Sequence, residues 1–176
     1  MAFAYYARLS AGQKKIYDRS AAVLTVPLPA PGKFSAAARA LQAALPADDR
    51  AGVERATAAI LAEVHRQLGV RPARVEVLAV RPHNTRGELH GLYTRALNAT
   101  AVIQLWMRTA KLRRPAAFKT FLRTALHESG HHLDYEHFKF ADSFHTEGFF
   151  ARAEHLFKQI LGAMESAAAP PLPLTP

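Results

Sequence analysis

The hydrophobic period of this chain changes twice, and no other feature of the sequence limits its fold as much. Across residues 48–68 the apolar positions Val53, Ala56, Ile60, Leu61, Val64 and Leu68 recur at helical spacing, and Gly69 ends the run. The pattern then alternates with a period of two. RVEVLAV (74–80), ELHGLYT (88–94) and TAVIQLW (100–106) read as strands; Asn84-Thr85 before Gly87 suits a hairpin turn, and a turn containing Asn98 joins the last two strands. After Pro115 the helical period returns, and a further helix is expected over 146–161. Upstream, Ser10 is an N-cap candidate for a short helix, 25–33 is a Pro-rich loop and 34–44 is an Ala-rich helix. Helices, a small sheet of about three strands, then two helices make an α+β fold.

The 176 residues, 49% of them hydrophobic, suit one domain with a substantial core. Three parts are expected: an N-terminal helical segment (1–69) packed on the rest, a core (70–165), and a disordered Pro-rich tail (166–176). Arg8 and Ser10 interrupt the N-terminus too early for a signal peptide, and no apolar run reaches the length of a membrane span. The expectation is a soluble, cytoplasmic protein.

Five of the nine histidines fall between Thr124 and Phe150. There are no cysteines, so any metal must sit on His, Asp or Glu. His127-Glu128-Ser129-Gly130-His131 is an H-E-x-x-H. On a helix, side chains four apart share a face, so both imidazoles can reach one ion, while the glutamate points to the side, toward a water. The plainer reading is a pair of core histidines. The helical wheel opposes it: Phe118, Phe121, Leu122, Ala125, Leu126 and Leu133 form one apolar stripe, and His127, His131 and Asp134 fall on roughly the other side.

A catalytic zinc takes three protein ligands and leaves a position open. If the helix continues past Asp134, His137 points about 100° away from the ligand face. His145 and Glu147 both lie where a chain reversal would return over the metal, and spacing alone leaves both open. Glu154 sits about two turns deeper. Asp134, one turn beyond His131, is a candidate acceptor for a ligand imidazole N–H, and a solvated surface aspartate is the alternative. Tyr93 and Tyr135 are candidates for stabilising an oxyanion or are packed aromatics. His132 and His155 read as ordinary helix residues.

The segment 74–161 resembles a minimal zincin, the superfamily of H-E-x-x-H zinc metallopeptidases, and ELHGLYTRALNATAVIQLW resembles the zincin edge strand on which a peptide lies. Within that superfamily the chain is similar to the SprT-like group, which includes the Spartan-type proteases of DNA–protein crosslinks. There H-E-x-x-H is followed by a short loop and a third His with a Phe four residues on, matching His145 and Phe149. The group usually has Gly after the third His, where this chain has Thr146. A gluzincin-like reading would use Glu147 of Glu147-Gly148 instead. A metzincin-like reading would use His137, but needs Gly at the position of Asp134. The resemblance implies Zn²⁺ held by His127, His131 and His145 (or Glu147), with Glu128 as general base in peptide hydrolysis. With His145 as ligand, Glu147 would orient it or cap the helix start. Residues 10–68 carry no resemblance.

The net charge is +9, and no acid separates Glu88 from Glu128, while Arg95, Arg108, Lys111, Arg113, Arg114, Lys119 and Arg123 all lie between them. Such a one-sign run favours an acidic partner such as DNA or another polyanion, beside the protein or peptide substrate. Two alternatives to a peptidase remain at this level: a non-proteolytic zinc-binding regulatory or toxin-like module, and a basic DNA-binding protein with a structural histidine site. Neither has a use for Glu128.

Overall fold

A computed structural model of the chain describes residues 3–85 and 87–167. Of the Pro-rich tail expected over 166–176, Ser166 ends a helix and Ala167 caps it, and residues 168–176 lie outside the described residues. Among those described there are five α-helices and a three-stranded sheet, an α+β fold. After a 3-10 turn at Ala4–Arg8 come helices α1 (Ala11–Ala22), α2 (Ser35–Ala44) and α3 (Arg50–Gln67). The strands are β1 (Arg74–Val80), β2 (His83–Asn84), β3 (Gly87–Glu88), β4 (Gly91–Thr94) and β5 (Val102–Arg108), and helices α4 (Phe118–Glu136) and α5 (Glu147–Ser166) follow.

Local chemistry sets the helix starts. The Ser10 hydroxyl accepts from Gln13 N–H at 3.2 Å and the Gln13 side chain accepts from Ser10 N–H at 3.0 Å, a capping box. Asp49 caps α3 through Gly52 N–H (2.9 Å), and Thr146 caps α5 through Phe149 N–H (2.9 Å). The expected helix over 146–161 therefore begins one residue later, with Thr146 as its cap, and runs on to Ser166.

β5 is the central strand, parallel to β1 and antiparallel to β4. Its apolar run is continuous because both faces are covered, with Ile103, Leu105, Trp106 and Met107 buried. The outer edge of β1 is closed by α3: Glu54 accepts from Val77 N–H (2.8 Å) and Arg50 donates to Val77 C=O (2.9 Å). The expected strand over 88–94 is broken at Leu89 and His90. Glu88 pairs back with His83 in the short β2–β3 hairpin, and the chain joins the main sheet only from Gly91.

Helices α3 and α4 lie against the sheet, and α2 and α5 pack on them from behind. One core runs through all these layers: Phe34, Leu41, Ile60, Leu61, Leu105, Phe121, Leu126 and Ile160 are all buried in it. Each such side chain contributes about 1.5–3 kcal/mol on leaving water. No helix among the described residues is long and apolar enough to cross a membrane.

Candidate metal centre

The four-residue spacing on α4 brings the rings of His127 and His131 to a centroid separation of 5.1 Å. Beyond α4 the chain doubles back. Phe138 N–H bonds Leu133 C=O, Phe140 N–H bonds Asp134 C=O, and Lys139 turns with φ +55°. The returning loop delivers His145 just before the Thr146 cap. Its Nε2 lies 3.0 Å from His127 Nε2 and 3.1 Å from His131 Nε2. Among the described residues this is the one group of His and acidic side chains whose donor atoms converge in this way.

The donor set fits a tetrahedral metal. Two imidazole nitrogens bound at about 2.0–2.1 Å to one zinc would stand about 3.3 Å apart. A single proton can bridge only one pair of the three nitrogens, whereas an ion engages all of them at once. The rings are also held neutral, as ligands must be. Burial, then the charge of His145, pulls His127 down to about 4. Burial, then His127 and His145, pulls His131 down to about 3, and burial lowers His145. Phe149, itself buried, backs all three rings at centroid distances of 4.7–5.2 Å.

Glu128 lies between α4 and β4 and is 7% exposed. Burial pushes its carboxyl up to about 7, against a hydrogen bond from the Tyr93 backbone. The carboxylate fits there because residue 91 is glycine; a Cβ at Gly91 would stand 2.6 Å from Glu128 Oε1. Trp106 N–H bonds His90 C=O, and His90 and Leu92 face β5 in the antiparallel register. By alternation, Gly91 and Tyr93 turn their backbone groups outward. That outer edge, where Glu128 already takes the Tyr93 N–H, and the histidines line one cleft of about 660 Å³, together with Leu89, Thr124 and Tyr135.

The remaining candidates sort by position. Glu147 is exposed in the first turn of α5 and is not in the histidine group. His137 faces Leu68 C=O (3.2 Å), as expected for a helix that continues past Asp134. Glu154 pairs with Arg123 at 3.1 Å. Asp134 is fully buried, and it reaches His131 through Ser143: His131 Nδ1 is 2.8 Å from Ser143 Oγ, which donates to Asp134 Oδ2 at 2.8 Å. The Tyr93 hydroxyl is engaged with His132 Nδ1 (3.2 Å), and that of Tyr135 meets Asp142 at 3.4 Å. His155 Nδ1 accepts from Val26 N–H (2.9 Å).

Sequence reasoning missed Gly91, Ser143, Arg152 and His65. Ser143, two residues before His145, carried a weak signal as a hydroxyl beside a candidate ligand. His65 carried none; it is buried under α4, with Nε2 2.9 Å from Ser129 Oγ and its ring 4.7 Å from that of His132. Comparison of the chain with family models, with curated proteins and with solved structures finds no match.

Proposed function

We propose that the protein is a zinc-dependent metallopeptidase, a minimal zincin of the SprT-like kind. His127, His131 and His145 hold the ion through Nε2. A zinc ion so held acidifies a water molecule and polarises a peptide carbonyl. The chain's own residues do the rest. Glu128 takes the proton of the attacking water and returns it to the leaving amine, with a carboxyl poised at about 7, where both transfers are accessible at neutral pH. The outward backbone groups of β4, other than the Tyr93 N–H that Glu128 holds, bind the substrate as an added strand. Tyr93 and Tyr135 form the wall beside it.

The observation that carries this reading is the convergence of three Nε2 atoms beside a buried carboxylate that sits against the outer strand of the sheet. A purely structural zinc would need no such carboxylate, and an edge covered by protein would admit no peptide.

The test is hydrolysis of an unfolded protein such as casein by the zinc-loaded chain. Glu128→Gln is expected to lower the rate by about 10²–10⁴-fold while keeping its zinc. Equal rates for the two proteins, or no hydrolysis by the loaded wild type, would overturn the proposal.

A further inference from the structure

We infer that Ser143 is a positioning residue that fixes the tautomer of His131, and that a buried ion pair anchored on helix α1 holds it in place. A hydroxyl has one hydrogen to give. Ser143 gives its own to Asp134 Oδ2 at 2.8 Å, so toward His131 Nδ1, also at 2.8 Å, it can only accept. The ring proton therefore sits on Nδ1. The Nε2 lone pair is left facing His127 and His145.

The donation to Asp134 is fixed by what lies behind it. Asp134 Oδ1 takes Arg152 Nη2 at 2.7 Å, and both side chains are sealed from solvent, with Asp134 at 0% and Arg152 at 4% exposure. A neutral Asp134 would strand the buried guanidinium, so the pair stays ionised. As a carboxylate, Asp134 can only accept.

Arg152 is held in turn by the end of α1. Its Nη1 donates to Ser20 C=O and Val23 C=O, both at 2.7 Å, and Nη2 donates to Ser20 Oγ at 3.0 Å. Ser20 C=O otherwise has only a long bond from Val23 N–H (3.4 Å) at the end of α1, and the cation complements the helix dipole there. The first turn of α5 packs onto the same place: a Cβ at Gly148 would run into the carbonyl oxygens of Ser20, Ala21 and Val23. The Ser20 hydroxyl also meets Thr146 Oγ1 at 3.0 Å, next to His145, and the Tyr5 hydroxyl donates to His145 C=O at 2.8 Å. The N-terminal segment thus supports two of the three ring positions, His131 through its side chain and His145 through its backbone.

This inference deepens the proposed metal site and rests on that reading for its purpose. The tautomer itself is a property of the metal-free chain. The experiment is long-range ¹H–¹⁵N NMR of the histidine rings in chelator-treated protein at pH 7.5, for wild type, Ser143→Ala and Ser143→Thr. The wild type should show His131 as the Nδ1–H tautomer, Ser143→Ala should move it toward Nε2–H, and Ser143→Thr, which keeps the hydroxyl, should restore it. Zinc affinity measured on the same samples should fall about 10–100-fold in Ser143→Ala and recover in Ser143→Thr. A wild-type His131 protonated on Nε2 would overturn the inference. So would a tautomer unmoved by Ser143→Ala. A wild type that binds no zinc but shows the expected tautomers would sink the metal reading and leave the hydrogen-bonded chain standing.

Discussion

At the scale of single residues, the site depends on a side chain that is absent. Gly91 leaves the space that the Glu128 carboxylate fills, 2.6 Å from where a Cβ would stand. Gly91→Ala should push the carboxylate out of line. A displacement of about 1 Å in a reacting group costs on the order of 10²-fold in rate. The overpacking should cost about 1–3 kcal/mol of stability. Zinc content should not change, because the atoms nearest an added Cβ at residue 91 belong to Glu128 and not to the imidazoles. Peptidase rate and zinc content measured on one preparation check this; an unaltered rate would contradict it. The residues that were readable from the sequence are those whose geometry is local. His127, Glu128 and His131 follow from four-residue spacing on a helix. Gly91 does not, because its role depends on a helix 37 positions away (Glu128 against Gly91). Nor does the convergence of His145 on the two helix histidines, with Glu147 outside the group, which depends on the loop turning back at Lys139.

At the scale of elements, α4 is joined to α3 by polar contacts on its rear face as well as by apolar packing. His65 on α3 meets Ser129, and its ring lies against His132. Burial, followed by the charge of His132, pulls His65 down to about 3. In the unfolded chain it would titrate near 6.5. The unfolded state therefore takes up a proton between those values while the folded state does not, and stability must rise with pH across that window. Above about pH 6.5 the effect is constant, and below about 3 it has been fully lost. For His65 alone the loss between pH 7 and pH 5 is about 2 kcal/mol. Urea unfolding should show that fall, and His65→Gln should make it shallower by a similar amount. A pH dependence unchanged by the substitution would show that His65 titrates normally in the folded state. Element types were readable wherever the period was clean, as in α3, β1 and the Gly87 hairpin. The parallel pairing of β1 with β5 was not, since alternation specifies a strand and leaves its neighbour unspecified. The break at Leu89 and His90 was hidden as well: the turn before Gly87 was legible, but not that its second strand would end at Glu88 and leave Gly91 to start a separate strand.

At the scale of the whole molecule, the N-terminal helices share one core with the sheet and with α4, which carries His127 and His131. Part of the positive charge is gathered in one turn. The turn after β5 exposes Lys111, Leu112, Arg113 and Arg114, and among the described residues none of these three cations has an acidic partner. This turn lies at the Glu88 end of the cleft, where the Ala110 backbone bonds the Glu88 carboxylate. If the turn engages phosphates, heparin retention should fall steeply with salt and weaken when Lys111, Arg113 and Arg114 are replaced together by Gln. Retention unaffected by those changes would exclude the turn as a polyanion contact.

The most direct measurement is zinc content by elemental analysis, on the wild type, His145→Ala and Glu147→Ala prepared side by side. Three converging Nε2 atoms predict one zinc per chain in the wild type, loss of that zinc in His145→Ala and its retention in Glu147→Ala. A wild type that takes up no zinc when supplied with it, or a zinc lost with Glu147 and kept without His145, would contradict the site described here.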